Sequence, residues 1–214
     1  MVKQGDRQLA QFTKVVTQKD ELRELMGKPS QFAVKKVISS LDEHCRTLIS
    51  LSPFLVLSTS NSEGHCDASP RGDHPGFVQV LDDKTLLIPE RPGNKRVDSL
   101  TNILSNPRAG LLFLIPGMGE TLRINGKACI VRDEELLQRM AVKGKLPLAA
   151  VAVEVEEIFI HCAKSIKRSG LWSGNLADPL PSAAMMLTDH MKIPGVTAEQ
   201  TEARLQDGYA NRLY

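Results

Sequence analysis

The chain has 214 residues, with 27 Lys+Arg against 25 Asp+Glu, a net charge of +2, 42% apolar and 24% charged residues. This profile excludes a disordered, collagen-like or disulfide-scaffold chain, and the small net charge with only 6 Phe, 1 Trp and 2 Tyr argues against a nucleic-acid partner. The longest apolar stretches, 109–115 and 146–153, are less than half of the roughly 18 residues needed to cross a bilayer, so no membrane span is expected. The charge-studded N-terminus lacks the apolar run of a signal peptide, which makes the cytoplasm the expected location.

The first fifty residues read as helical. Thr17-Gln-Lys-Asp20 resembles a capping box, Leu22 and Leu25 supply an apolar side, and Gly27 and Pro29 end the element. A second helical run is expected over about Ser30–Leu51, with Val34, Val37, Ile38 and Leu41 forming a stripe at i, i+3, i+4 and i+7 until Pro53 stops it.

From Phe54 the period changes to short apolar runs separated by turn residues. Phe54–Thr59 is followed by the turn Asn61-Ser-Glu-Gly64, Phe77–Leu81 by Asp82-Asp83, and then comes Thr85–Ile88. After a helix come Ala109–Ile115, a Pro116-Gly117 turn, Thr121–Val131, a helix near Asp133–Val142, and Ala149–Ile160. In Thr121–Val131, Leu122, Ile124, Ala128 and Ile130 alternate with Thr121, Arg123, Asn125 and Lys127, which predicts one core face and one polar face. About six or seven strands joined by tight turns predict a mainly β fold with flanking helices, an antiparallel sheet closed into a small barrel, since closure removes exposed edges. A single domain over 1–214 is expected, with its core at about 52–172, an N-terminal helical segment 1–51 and a C-terminal helical tail 173–214 that includes Thr197–Asn211.

The most informative stretch is Ile88-Pro-Glu-Arg-Pro-Gly-Asn-Lys-Arg-Val-Asp-Ser-Leu100. Asn94 is a good N-cap for a helix whose Val97, Leu100 and Leu104 face inward, and that helix would open with Lys95 and Arg96. Cations in a first turn are ordinarily unfavourable, so the pair either answers a bound phosphate or consists of solvated surface charges. A second cluster, Asp67-Ala-Ser-Pro-Arg-Gly-Asp73, predicts an irregular strand that presents Arg71, either beside a ligand or within a β-bulge holding an Arg–Asp ion pair. Lys164, Lys167 and Arg168 form a basic patch that ends in Trp172, readable as the flank of an anionic aromatic ligand or as a solvated helix face. His161-Cys162 is no nucleophile pair, because neighbours on a strand point to opposite faces. Met185, Met186 and Met191 read as packing residues. The four cysteines, Cys45, Cys66, Cys129 and Cys162, form no CxxC pair, and His44, His65, His74 and His190 show no ligand spacing, so no metal site is expected.

These residues carry a family resemblance. The run Pro92-Gly-Asn-Lys-Arg-Val-Asp-Ser-Leu-Thr-Asn-Ile-Leu-Ser-Asn-Pro-Arg-Ala-Gly-Leu-Leu-Phe113, followed by Glu120-Thr-Leu-Arg-Ile-Asn-Gly-Lys-Ala128, resembles the pyridoxamine 5′-phosphate oxidase-like FMN-binding split barrels. Asp67-Ala-Ser-Pro-Arg-Gly-Asp-His-Pro-Gly-Phe-Val78 and His161-Cys-Ala-Lys164 are most similar to the oxidase-related FMN-binding branch, and the likeness spans about residues 30–172. It implies a homodimer with two FMN molecules in clefts between subunits. Lys95 and Arg96, with Asn94 before them, would hold the phosphate, Ser69 and Arg71 would run along the flavin, and Thr121 and Arg123 would lie near its ring. Lys164 and Trp172 would come from the closing strand and the segment after it, contributed by the other subunit. The implied activity is an FMN-dependent oxidoreductase of unknown substrate with NADH or NADPH as candidate donor; the alternatives are a non-catalytic flavin module or a related barrel holding haem or F420. The closing segment lacks the Arg-x-His pattern of authentic pyridoxamine phosphate oxidases, and Asp133–Val142 lacks their Tyr, which argues against that particular reaction.

Overall fold

Turn residues after Pro53 divide the chain into seven strands: β1 (Phe54–Ser60), β2 (Cys66–Gly72), β3 (Gln79–Val80), β4 (Thr85–Pro89), β5 (Arg108–Leu114), β6 (Thr121–Val131) and β7 (Ala150–His161). The helices are α1 (Lys19–Met26), α2 (Gln31–Lys35), α3 (Glu43–Leu51), α4 (Asp98–Ser105), α5 (Glu134–Gln138), α6 (Lys164–Ser169), α7 (Ala183–Met191) and α8 (Ala198–Asn211). This computed structural model describes residues 11–174 and 179–214; the first ten residues of the expected N-terminal segment and 175–178 of the expected tail lie outside them. The chain forms two compact units, Met1–Lys36 and Val37–Tyr214. The first contains α1 and α2, neither with a buried residue; the second contains everything else.

All seven strands make one antiparallel sheet in the order β2-β1-β5-β6-β7-β4-β3. The expected closed barrel and mainly β composition are both overturned. Among the described residues β2 and β3 remain edges with no ladder between them, and more residues lie in helices than in strands. Side chains rather than backbone bonds link the two margins: Arg71 on β2 pairs with Glu90 just past β4, and Asp73 after β2 pairs with Arg91. Edge β2 is also blunted by Pro70 and by charge, which supplies the protection that closure would have given.

Apolar alternation sets the core face. Leu55 and Leu57 of β1, Leu111 and Phe113 of β5, Leu122 and Ile124 of β6, and Val151, Val153 and Val155 of β7 are buried together with Cys45 and Ile49 of α3 and Ile103 of α4. Each such aliphatic side chain contributes about 1.5–3 kcal/mol by burial. A smaller cluster on the opposite face packs Leu87 and Ala150 beneath Leu137 of α5 and Met140. The predicted faces of β6 hold for Leu122, Ile124 and Ala128, but Thr121, expected on the polar face, is buried. The β6–β7 register slips between Asn125 and Gly126, leaving Glu156 as the extra residue of β7. Successive Glu156 and Glu157 are both exposed there, and Ile158 returns to the core. Gly126 sits at this bulge because the β7 backbone comes too close for any side chain: a Cβ would meet the Glu154 carbonyl oxygen at 2.0 Å.

Several helical expectations change. The run 30–51 is two helices, since Ile38 exchanges backbone bonds with Ile158 and Asp42 caps α3 by accepting the Cys45 N–H at 2.8 Å. The proposed stripe therefore breaks: Leu41 is buried, whereas Val34 and Ile38 are exposed. Thr17 forms no capping box, and α1 begins after Gln18 without a side-chain cap. The helix expected over Asp133–Val142 stops at Gln138, before a Val142–Lys145 bridge. Phe77–Leu81 contributes only Gln79–Val80 as strand, because the Phe77 N–H closes a turn on His74. The tail meets expectation at α8, where Thr197 and Gln200 form a capping box. Helix α7 packs against it, with the Thr188 and Thr201 hydroxyls 2.7 Å apart.

Candidate functional site

A cavity of about 590 Å³ lies between β2, the loop from Glu90 to Asp98, the start of α4 and the 146–148 segment. It brings together Ser69, Arg71, Asn94, Lys95 and Arg96, five of the nine residues singled out from sequence. The other four are elsewhere in the chain. Thr121 opens β6 opposite His161, Arg123 stacks over the Phe159 ring at 5.2 Å, Lys164 begins α6, and the Trp172 indole donates to the Met118 carbonyl at 2.8 Å.

Local structure differs from expectation on both sides of the cavity. Strand β2 pairs with β1 residue for residue from Gly72 to Cys66, so it is regular despite Pro70, and Arg71 pairs with Glu90 rather than with an Asp inside a bulge. Opposite it, α4 starts at Asp98, so Lys95 and Arg96 belong to a loop and not to a first helical turn. Asn94 does not cap the helix; its Oδ1 accepts the Arg96 N–H at 3.0 Å and closes a turn inside the loop. Asp98 takes the first-turn position, where a negative charge suits the helix dipole. The inward face also differs: Val97 and Leu104 are exposed, while Ser99, Asn102 and Ile103 are buried. Polar contacts decide that rotation. The Ser99 hydroxyl donates to Asp67, and Asn102 donates to the Thr59 hydroxyl at 3.0 Å, a buried bond whose loss would cost about 1–3 kcal/mol.

The loop is strained. Lys95 and Val97 have φ of 61° and 54°, in the left-handed region that disfavours residues with a Cβ and above all a β-branched one. Such residues cost of the order of 1–3 kcal/mol each and cluster where backbone is shaped for a ligand.

The charges lining the cavity divide into engaged and available groups. Asp67 accepts the Ser99 hydroxyl, Glu90 pairs with Arg71, and Arg91 is held by Asp73 and by the Met140 carbonyl. Arg96 pairs with Asp98 at 2.7 Å, which raises its pKa, but the two side chains are 72% and 46% exposed. An ion pair so exposed is screened by solvent, contributes little, and is readily exchanged for a stronger anion. Lys95 makes no ion pair among the described residues. Arg71 is mostly buried, and its Nε is the buried side-chain polar atom left without a partner among the described residues. A buried donor beside a cavity is ordinarily satisfied by an acceptor within that cavity, a water or a ligand. Sequence reasoning missed Glu90, Asp98 and Asp67 as the counter-charges that position these cations. Alternation of acid and base through Glu90-Arg91 and Arg96-Val-Asp98 was the available signal.

A shallower groove of about 550 Å³ adjoins this one at Asp67 and Ala68 and runs across β1, β5 and β6, past Ser58, Gly110 and Asn125. Among the described residues no group of His, Cys, Asp or Glu could hold a metal ion, and no helix is long and apolar enough to cross a membrane.

The geometry gathers Arg71, Lys95 and Arg96 around one cavity at a margin of the antiparallel sheet. Residues 41–162 match the family model described as pyridoxamine 5′-phosphate oxidase, and the chain belongs to that family. A comparison with curated proteins finds no match. Similar solved structures include HupZ of Group A Streptococcus, at 19% identity over 56% of this chain and 93% of that one, with a TM-score of 0.46. A candidate pyridoxamine 5′-phosphate oxidase from Lactobacillus delbrueckii is 22% identical over 57% of this chain and 95% of that one, with a TM-score of 0.45. An FMN-binding protein from Syntrophomonas wolfei is 11% identical over 66% of this chain and 95% of that one, with a TM-score of 0.42.

Proposed function

We propose that this chain binds FMN in the cavity between β2 and the Glu90–Asp98 loop and works as an FMN-dependent oxidoreductase whose substrate is not pyridoxamine phosphate. The observation that carries the reading is the convergence of Lys95, Arg96 and the unpartnered Arg71 Nε on one cavity of about 590 Å³, within the range of about 300–1,000 Å³ typical of cofactor sites. Family membership supports the choice of cofactor.

The residues present fit such a group. Lys95 and Arg96 would hold the phosphate through charge-assisted hydrogen bonds, Arg96 exchanging Asp98 for a dianion. Arg71, fixed by Glu90, would donate its Nε–H to an acceptor on the cofactor or substrate, with Ser69 beside it. Leu146, Pro147 and Leu148 would form an apolar lip that excludes water. FMN itself supplies the hydride chemistry when bound, and the protein's part is to bind and orient it. Thr121, Arg123, Lys164 and Trp172 lie outside this cavity, so in this reading they join the site only in a homodimer, supplied by a second copy.

The test is the visible absorption spectrum of the purified chain, with any chromophore released and identified by mass, followed by anaerobic addition of NADH or NADPH. Flavin bands, released FMN and bleaching by a reduced nicotinamide support the enzyme. Bound FMN that neither donor reduces favours a non-catalytic flavin module. A colourless protein that takes up no added FMN refutes the reading.

A further inference from the structure

One wall of the cavity is rooted in a buried ion pair that is closed by a residue 141 positions away in sequence, Tyr214. Asp73 follows β2 directly, and its side chain is only 2% exposed. Its Oδ2 accepts Arg91 Nε at 2.6 Å, while Oδ1 accepts the His74 N–H at 2.8 Å and the Tyr214 hydroxyl at 2.7 Å. The Arg91 guanidinium lies 5.7 Å from the centre of the Tyr214 ring and also donates to the Met140 carbonyl at 2.9 Å. Lys143 Nζ sits 5.5 Å from the same ring centre, and Lys145 Nζ donates to the Tyr214 carbonyl at 2.8 Å. The phenol is therefore held by a hydrogen bond at its hydroxyl and by cations against its π system.

These contacts join four separate parts of the chain: the end of β2, the root of the anion loop, the stretch after α5 and the segment after α8. Arg91 stands four residues before Lys95, and the far end of the loop is fixed where α4 begins. Between those ends lie the left-handed Lys95 and Val97, braced inside the loop by the Asn94 Oδ1–Arg96 N–H turn and anchored at the loop's start by the Asp73–Arg91 pair. Tyr214 does not line the cavity, so its influence on a ligand passes through Arg91.

We propose that Tyr214 is a positioning latch: docked on the Asp73–Arg91 pair, it holds the Arg91–Val97 loop in the form that grips a phosphate ester. This rests on the assignment of Lys95 and Arg96 as phosphate ligands. The latch acts chiefly on residence time, since loosening the root of the loop lets a bound phosphate escape without hindering its arrival.

The experiment compares the full wild-type chain with Tyr214→Ala and Tyr214→Phe by two readouts. The first is amide hydrogen exchange without ligand; Tyr214→Ala should speed exchange across 91–97 about ten-fold or more while amides of β5 and β6 keep their protection, which also shows that the variant is folded. The second is the FMN dissociation rate, expected to rise about ten-fold in Tyr214→Ala with little change in association, and less in Tyr214→Phe, which keeps the ring but loses the hydroxyl. Exchange at 91–97 that stays at the wild-type rate in Tyr214→Ala overturns the latch. A wild-type chain that binds no FMN overturns the phosphate role of the loop, and the exchange result then separately decides whether Tyr214 holds it.

Discussion

Gly126→Ala tests the β6–β7 bulge on which the sheet depends. The added Cβ would stand 2.0 Å from the Glu154 carbonyl oxygen and 2.9 Å from its carbon, whereas real Cβ atoms essentially never approach closer than 3.0 Å, so the strands must part by about 1 Å. The obstacle is backbone in the two longest strands, and no rotamer change relieves it. Overpacking costs about 1–3 kcal/mol, and weakening one ladder bond adds about 1 kcal/mol, which gives a loss of about 3 kcal/mol. A chain of this size shifts by about 2–4 °C per kcal/mol, so Tm should fall by about 6–12 °C. Guanidinium unfolding of the variant, with the slope monitored to confirm one transition, measures the loss directly. Gly93→Ala is the control, because its Cβ meets nothing nearer than the Arg91 carbonyl oxygen at 4.0 Å; it should change stability by less than about 0.5 kcal/mol. A Gly126→Ala loss below about 1 kcal/mol would refute the close-approach argument.

Removing the Arg71 guanidinium, as in Arg71→Ala, should weaken FMN binding by about 1.5–3 kcal/mol, measured by flavin fluorescence, since a charge-assisted donor is lost; unchanged affinity would exclude Arg71 from the site. Burial pushes the Cys45 thiol up to about 12, reinforced by its hydrogen bond to Asp42, while Cys66, Cys129 and Cys162 are exposed. A thiol reagent near pH 8 should thus modify those three in the native protein and Cys45 only after unfolding, and rapid native labelling of Cys45 would contradict its placement. For Asp73, burial opposes ionisation, but bonds from the Tyr214 hydroxyl, the His74 N–H and Arg91 outweigh it and hold the carboxyl below its ordinary value. A depressed folded value means that the contribution is fully present above the unfolded value of about 3.9 and is lost as pH falls through the folded one. Asp73→Asn should consequently cost about 3 kcal/mol near neutrality by stranding Arg91, and in acid unfolding series the gap from wild type should close below about pH 4; a gap constant down to pH 2 would contradict the assignment.

Strand order along the chain was legible because turn chemistry and alternation are local properties: Thr121–Val131 emerged with its expected bounds, and Asn61 closes the first hairpin by accepting the Glu63 and His65 N–H groups. Barrel closure was not legible, because whether β2 meets β3 depends on long-range pairing, and the ion pairs of Arg71 and Arg91 bring the margins together without a ladder. The start of α4 was misplaced since Asn94 has the chemistry of an N-cap but spends its side chain on Arg96 within the loop. Rotation of that helix was hidden for a similar reason: buried Ser99 and Asn102 find polar partners in Asp67 and Thr59, which a hydrophobic pattern does not reveal. At the cavity, the basic residues stood out by sequence alone, whereas the unpartnered Nε of Arg71 and the Tyr214 contact across the chain required coordinates. The bulge in β7 has a local sequence signal, since Glu157 breaks the alternation of Val153-Glu-Val-Glu156.

Titration of FMN and riboflavin, which differ only by the phosphate, into the chain and into a Lys95→Ala/Arg96→Ala variant tests whether Lys95 and Arg96 hold a flavin phosphate. Wild type should bind FMN at least about ten-fold more tightly than riboflavin, and the double substitution should remove this preference while riboflavin affinity is retained. Equal affinity of the wild-type chain for the two flavins, or an FMN preference that survives in the double variant, would contradict that assignment.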